Sequence, residues 1–192
     1  MAARSQDRKS RWTYAEFARL PSEGGARHEV IAGDLVMTPA PSRRHQRVSM
    51  DLGTLLNAFV RAHDLGEVYH GPFHVLLAEG DFLEPDLLFV RKERLHLLSD
   101  CGAEGPPDLV VEITSPSTSA RDRGVKLERC RLYGVAEYWI VDPDGGLVEV
   151  WDLAAGVDHP VVLRAGQQLD WRPAGAEPTL SIAVADLVGD AA

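Results

Sequence analysis

Apolar runs separated by polar turns predict a strand, a helix and a second strand in the second half of the chain. Residues 108–114 read DLVVEIT, an apolar and β-branched run with the length of a buried strand. The turn SPSTS follows, and residues 119–133 carry a helix-forming sequence that Gly134 closes. Residues 135–141 form a second apolar run. The order predicts a βαβ unit, although periodicity alone leaves open whether the two strands are parallel.

The remaining elements are predicted from the same kinds of pattern. A capping box from Thr13 to Glu16 begins a short helix that ends before Pro21. The longest periodic segment is a helix from Ser42 to residue 63, and turn residues at 33–34 indicate a hairpin over residues 26–37. Further strands are predicted over residues 67–70, 73–77, 82–90 and 147–153, with edge strands at 160–164 and 179–184.

Length and composition indicate one domain over residues 12–187, preceded by a disordered stretch at residues 1–11. The chain has 192 residues, of which 45% are hydrophobic and 26% are charged, as is ordinary for a globular protein. No apolar run approaches the ~20 residues that a membrane span needs, and the two cysteines lack metal-like spacing, so we predict a cytoplasmic protein with free thiols. The net charge of −9 argues against unspecific adhesion to nucleic acid, but it leaves room for a local basic groove.

Two carboxylates interrupt runs that otherwise resemble buried strands. Glu112 lies in the run at residues 108–114, and Asp86 lies near the start of the run at residues 82–90. If these strands are neighbours, the two acids converge, and their repulsion predicts either a bound divalent cation or a proton-sharing pair. Oxygen ligands without cysteine favour Mg²⁺ or Mn²⁺ over zinc, and such ions bind phosphates.

The helix at residues 119–133 carries one polar stripe. At roughly 100° per residue its members fall within about 60° of one another; they are Asp122, Lys126, Arg129 and Tyr133. The stripe either faces solvent, as on an ordinary amphipathic helix, or turns back over the strand that carries Glu112. In the second case Lys126 can position a water molecule or offset charge in a transition state.

Two further residues each have two interpretations. Glu29 lies on the first strand of the predicted hairpin, where it either forms an edge-strand salt bridge or contributes to the site. His45 occupies the first turn of the long helix, where it is either a polar surface residue or a member of the site.

Taken together and in order, these motifs resemble the Uma-two family of restriction endonucleases, a bacterial branch of the PD-(D/E)XK nuclease superfamily. The resemblance runs from Trp12 to about Leu187 and includes the hairpin and the sequence PAPSRRHQ at residues 39–46. Its other motifs are Pro85-Asp86, residues 108–118 with Glu112, Asp122, Lys126 and residues 133–143.

The resemblance implies both a fold and a set of roles. The implied fold is α/β (α+β), with a restriction-endonuclease-like core in which helices flank a central mixed β-sheet, plus an N-terminal helix and hairpin. Asp86 and Glu112 are implied as metal ligands, with the carbonyl of Ile113 as a further ligand. The superfamily places a lysine two residues after the second acid, where this chain has Thr114. The role is therefore expected to fall to Lys126, whose long side chain can reach the same point from the helix.

The implied activity is Mg²⁺- or Mn²⁺-dependent hydrolysis of phosphodiester bonds in DNA. Asp86, Glu112 and Lys126 are the predicted catalytic residues, whereas Asp122 is expected to hold Lys126 or cap the helix, and Tyr133 to pack. A homodimer is expected, because a duplex needs two cuts. Two alternatives stay open: a catalytically inactive nuclease fold that binds DNA or protein, and a hydrolase of small phosphoesters.

Overall fold

The structure is a computed structural model that describes residues 12–20, 27–173 and 177–189. Its helices are α1 (Tyr14–Phe17), α2 (Arg43–Ala62), α3 (Ser119–Arg121), α4 (Leu127–Tyr133) and α5 (Val184–Val188), with a 3₁₀-helix at Lys92–Leu97 and a π-helical turn at Asp122–Lys126. The strands are β1 (Arg27–Ile31), β2 (Asp34–Thr38), β3 (Gly66–His70), β4 (Val75–Ala78), β5 (Asp81–Leu83), β6 (Leu87–Arg91), β7 (Leu98–Ser99), β8 (Gly102–Ala103), β9 (Leu109–Ile113), β10 (Glu137–Asp142), β11 (Leu147–Asp152), β12 (Val161–Arg164), β13 (Gln168–Trp171) and β14 (Leu180–Ala183).

A six-stranded mixed sheet forms the centre of the fold. Its strand order is β12-β11-β10-β9-β6-β3, with β9 and β10 parallel and the other neighbouring pairs antiparallel. The predicted βαβ unit is confirmed, and its two strands are parallel. A second six-stranded sheet has the order β2-β1-β5-β4-β8-β7, and β13 pairs with β14. The mixed α/β fold predicted from the resemblance is confirmed.

Alternate residues of β9 face opposite sides of the central sheet. Leu109, Val111 and Ile113 belong to the hydrophobic core that α2, α5 and the β13–β14 pair cover. Val110 belongs to the core on the other face, which α4 and the second sheet cover. Because side chains alternate along a strand, Glu112 shares the face of Val110. The sheet therefore directs Glu112 towards α4 and the second sheet.

Two predicted elements are wrong in extent, and a third is confirmed as a strand with a partner that was not predicted. The single strand predicted over residues 82–90 is two strands, β5 and β6, in different sheets, because Pro85 between them has no N–H to donate to a ladder. The helix predicted over residues 119–133 is interrupted at Gly124, whose φ of −109° and ψ of −110° are not helical. The strand predicted at residues 179–184 is β14, and its partner β13 was not predicted.

Other predicted elements are confirmed where the structure describes them. The predicted hairpin is the antiparallel pair β1–β2, the long helix is α2, and β11 pairs with β10 as expected. The strands on either side of Gly71-Pro72 are β3 and β4, which lie in different sheets. The predictions for residues 1–11, Pro21 and Ala26 fall outside the described residues. Within the described ranges, no helix has both the length and the apolar character needed to cross a membrane.

Candidate active site

The register of two strands brings Asp86 and Glu112 together. Strands β6 and β9 are antiparallel neighbours, with Leu87 opposite Val111. Continued by one step, this register sets Asp86 opposite Glu112, and opposite residues of such a pair have Cβ atoms about 4.5–5.5 Å apart. Both side chains line the same cleft. The convergence expected if the strands were neighbours therefore follows from the pairing of the central sheet.

Asp86 is buried and surrounded by hydrogen-bond donors. Its Oδ1 lies 2.7 Å from Nη1 of Arg27, and its Oδ2 lies 3.0 Å from Nε2 of His45. The backbone N–H of Ile113 donates to the same Oδ2 at 2.8 Å. Burial raises the pKa of Asp86, but the hydrogen bond from His45 and the charge of Arg27 outweigh burial, so the pKa is lowered from its usual value. Asp86 is therefore ionised at neutral pH.

Lys126 bridges two acids in the protein interior. Its side chain is 1% exposed, and its Nζ lies 2.7 Å from Oε1 of Glu112 and 2.6 Å from Oε1 of Glu29. Burial lowers the pKa of Lys126, but the charges of Glu112 and Glu29 outweigh burial and raise the pKa above its ordinary value. Lys126 is therefore protonated at neutral pH.

Glu112 lies in the least favourable surroundings for a carboxylate. Burial raises the pKa of Glu112 well above its usual range, Lys126 opposes this rise, and the carboxylate of Asp86 adds to it. Oε1 of Glu112 is buried, and within the described part of the chain it has no well-directed hydrogen bond. This oxygen is therefore one member of an ion pair with Lys126, at 2.7 Å from Nζ, and it has no further donor among the described residues.

The turn after β9 and the π-helical turn set the position of Lys126. The N–H of Ser115 donates to Oγ1 of Thr118 at 3.1 Å, which closes the turn. The hydroxyl of Tyr138, on the buried strand β10, donates to the carbonyl of Asp122 at 3.0 Å. The strand thereby fixes the first residue of the π-helical turn, and such turns are frequent at functional sites.

These side chains line a cleft of about 220 Å³ between the loop before α2, the turn after β9 and the β10–β11 turn. Six acids and four lysine or arginine residues line it, so the lining carries two negative charges in excess when histidine is neutral. The acids are Glu29, Glu84, Asp86, Glu112, Asp122 and Asp144, and the bases are Arg27, Arg44, Arg121 and Lys126.

The accessory residues predicted from the sequence also lie in this cleft. The edge-strand alternative for Glu29 is wrong, because β1 lies between β2 and β5 and Glu29 is buried against Lys126. His45 is largely buried against Asp86, so the surface alternative for His45 is wrong as well. Asp122 is buried, and its charge contributes to the raised pKa of Lys126.

The polar stripe predicted on the helix is divided between two places. Asp122 and Lys126 line the cleft. Arg129 and Tyr133 instead bind Asp81, with Nε of Arg129 donating to Oδ1 at 2.9 Å and the Tyr133 hydroxyl donating to Oδ2 at 3.0 Å. At a rise of 1.5 Å per residue the stripe is about 16 Å long, which is more than one small site can span.

Arg27, Arg121 and Glu84 are among the cleft residues that were not predicted as site residues from the sequence. Arg27 precedes Glu29 by two residues on β1, and this spacing puts both on one face of a strand, which was a usable signal. Arg121 donates to Oγ1 of Thr38 at 3.0 Å and lies 3.7 Å from Oε2 of Glu29. Glu84 precedes Asp86 by two residues within the run predicted as one strand, which was also a usable signal, and the structure places it in the gap between β5 and β6.

The donor set of the cleft fits a hard divalent cation. Among the described residues, no three His, Cys, Asp or Glu side chains are grouped as direct metal ligands. Six acids nevertheless line the cleft, and carboxylate oxygens are the ligands that Mg²⁺ prefers in proteins. A carboxylate offers about four lone-pair sites, of which Asp86 uses three. The residues therefore fit an ion with few protein ligands and several waters, which is the usual state of Mg²⁺ in proteins.

Comparisons with known proteins agree with this fold. The Uma2 family model, described as "Putative restriction endonuclease", matches residues 14–185. A crystal structure described as that of a "putative nuclease" from Anabaena variabilis is similar with a TM-score of 0.76 and 20% identity, covering 92% of this chain and 97% of that chain. An uncharacterised protein from Synechocystis is 23% identical over 132 residues, which are 68% of this chain and 74% of that protein. The matched residues include every acid of the cleft, and the chain belongs to the Uma2 family.

Proposed function

We propose that this protein is a Mg²⁺-dependent endonuclease that hydrolyses phosphodiester bonds of DNA. The observation that carries the proposal is the convergence of Asp86 and Glu112 in a cleft with excess negative charge, with Nζ of Lys126 at 2.7 Å from Glu112. Membership of a family described as restriction endonucleases supports the same class of reaction.

Asp86, Glu112 and the carbonyl of Ile113 would hold the ion, Mg²⁺ or Mn²⁺. When bound, such an ion polarises the phosphate and lowers the pKa of an attacking water. Asp86 is suited to this role because Arg27 and His45 hold its carboxylate in one orientation and leave one lone-pair site free. Fixed and already ionised, it needs neither reorientation nor loss of a proton to bind a cation.

Lys126 would supply the positive charge that the superfamily places at the position of Thr114. Thr114 cannot do so, because a hydroxyl group carries no positive charge, and its Oγ1 lies 3.3 Å from Oγ1 of Thr118 within the turn. Lys126 keeps its proton next to Glu112 and Glu29, so it can offset the negative charge that develops on the phosphate or orient the attacking water. Glu29 serves as the anchor that holds Lys126 in place.

DNA is the proposed substrate, and a homodimer would provide one site for each strand of a duplex. The opposing candidate is an inactive nuclease fold that binds DNA or protein. One observation favours it: Arg27 and Lys126 already pair with the two acids and His45 lies within hydrogen-bond distance of Asp86, so the site can persist as a buried polar network without a cation. Binding of a divalent ion separates the two candidates.

Nicking of supercoiled plasmid DNA tests the proposed function. Wild-type protein should nick the plasmid with Mg²⁺ or Mn²⁺ and not with EDTA. Glu112→Gln should lose this activity while remaining folded, because it removes a carboxylate whose ionised form is disfavoured by burial. The matched control is Glu128→Gln, which makes the same change on an exposed residue. Absence of cleavage of duplex and single-stranded DNA by the wild type with either ion would refute the nuclease proposal.

A further inference from the structure

Glu84 is a buried acid of the cleft with one unused oxygen. Its side chain is 8% exposed, and its Oε2 has no hydrogen-bond partner among the residues that the structure describes. An unsatisfied buried acceptor destabilises the folded protein, and the destabilisation is larger when the acceptor is charged. An oxygen in this state is available as an acceptor to a bound water or ligand.

Glu84 is held in place from two sides. The hydroxyl of Tyr14 lies 2.8 Å from Nδ1 of His74, and Nε2 of His74 lies 3.0 Å from Oε1 of Glu84. The same hydroxyl also lies 3.2 Å from the carbonyl of Cys101, so its one proton goes either to that carbonyl or to Nδ1. When it goes to Nδ1, Nε2 carries the ring proton and donates to the carboxylate. The backbone N–H of Glu84 donates to Oε1 of Glu29 at 2.9 Å, which is also the oxygen that contacts Lys126. The free oxygen of Glu84 is therefore fixed relative to the proposed catalytic residues.

Glu84 lies in the wall between the cleft and a second cavity of about 380 Å³. Arg27, His45 and Asp86 line both spaces as well, so Glu84 and Asp86 border the same two volumes. The second cavity is otherwise lined by polar residues and by the corner at Gly71-Pro72.

We propose that Glu84 is a further acid of the metal site, which accepts a hydrogen bond through Oε2 from a water of the bound divalent cation. This inference rests on the proposed function. Mg²⁺ keeps several of its waters when it binds to proteins, and those waters need acceptors. His74 and Tyr14 are positioning residues, since they fix the carboxylate without touching the cation.

Calorimetric titration of Mn²⁺ into Glu84→Gln tests this role. Loss of an outer-sphere partner typically weakens metal binding about 10–100-fold, so the dissociation constant of the variant should rise by that factor. Tyr14→Phe, which leaves Glu84 intact but removes the anchor of His74, should weaken binding by about threefold. Glu128→Gln, the exposed control, should bind Mn²⁺ as the wild type does. The melting temperature of each metal-free variant is measured in parallel.

A purely structural role for Glu84 would lower the melting temperature of the metal-free protein and leave the Mn²⁺ affinity unchanged, which would overturn the proposal. If Glu84→Gln does not fold, the test rests on Tyr14→Phe. An unchanged Mn²⁺ affinity of that variant then overturns the proposal as well. A wild-type protein that binds no Mn²⁺ would overturn both this role and the proposed function. Binding in the wild type with equal affinity in Glu84→Gln would overturn only the role of Glu84.

Discussion

Replacement of Lys126 by methionine should destabilise the protein strongly and in a pH-dependent way. Lys126 is 1% exposed and contacts both Glu112 and Glu29, so Lys126→Met leaves two buried carboxylates without their shared cation. Removal of one member of a buried ion pair costs about 3–5 kcal/mol. For a chain of this size 1 kcal/mol corresponds to about 2–4 °C, so the melting temperature should fall by about 6–20 °C.

The sign of the pH dependence follows from Glu112. Its pKa in the folded protein is raised above its usual value, and Lys126 is the group that opposes this rise. Without Lys126 the pKa of folded Glu112 rises further. In the unfolded chain Glu112 loses its proton near pH 4.3, whereas in the folded variant it keeps the proton up to a higher pH than in the folded wild type. Stability falls with increasing pH in that range. The loss caused by Lys126→Met should therefore be larger at pH 8 than at pH 5.

Urea unfolding of wild type and variant at both pH values measures this loss directly. The matched control is Lys92→Met, because Lys92 pairs with Asp64 on the surface, where the side chains are 54% and 80% exposed. That change should cost less than about 1 kcal/mol at either pH. If Lys126→Met were no more destabilising than Lys92→Met, or if its loss were the same at pH 5 and pH 8, the buried charge network described above would be wrong.

Three further changes have specific expected outcomes. Arg27→Met removes a charge that lowers the pKa of Asp86, so it should lower the free energy of unfolding by about 2–4 kcal/mol at pH 7. The loss should become progressively smaller below about pH 4, where Asp86 takes up a proton. A loss that stays constant in urea unfolding from pH 7 to pH 3 would contradict the pairing. Burial raises the pKa of Glu137 to about 7. Glu137→Gln should therefore stabilise the protein by about 1–2 kcal/mol at pH 8 and have no effect near pH 4.5. Equal unfolding free energies of the wild type and the variant at pH 8 would count against this prediction. Tyr133→Phe removes a hydrogen bond to Asp81 and should lower the free energy of unfolding by about 1 kcal/mol. Plasmid nicking should be unchanged, because Tyr133 does not line the cleft. Slower nicking by the folded variant would place Tyr133 in the site.

Local pattern sufficed to predict the central part of the site. Glu112 stands out because a buried strand has no packing use for a carboxylate, and Lys126 follows on the next helix, which must cross back over that strand to begin a parallel one. The pairing of β9 with β10 depends on this short connection, so it can be inferred from the sequence. The contact between Lys126 and Glu112 results from this connection, because it brings the helix back over the strand that carries Glu112.

Long-range partners could not be predicted in the same way. Asp86 is paired with Arg27 from β1 and with His45 from α2, which are 59 and 41 residues before it in the chain. The local sequence pattern does not predict that β1 and α2 meet at one point of the central sheet. The break at Pro85 was foreseeable, because proline cannot continue a ladder. The interruption at Gly124 was not, since a single glycine within a helical pattern is usually tolerated.

Calorimetric titration of Mn²⁺ into the wild type and Glu112→Gln tests most directly whether the two acids form a metal site. We predict saturable binding by the wild type, binding weakened by about tenfold or more in Glu112→Gln, and wild-type affinity in the exposed control Glu128→Gln. Equal affinity in the wild type and Glu112→Gln would show that the ion binds elsewhere. No binding by the wild type would contradict the metal-dependent nuclease and would leave the nuclease fold as a binding module.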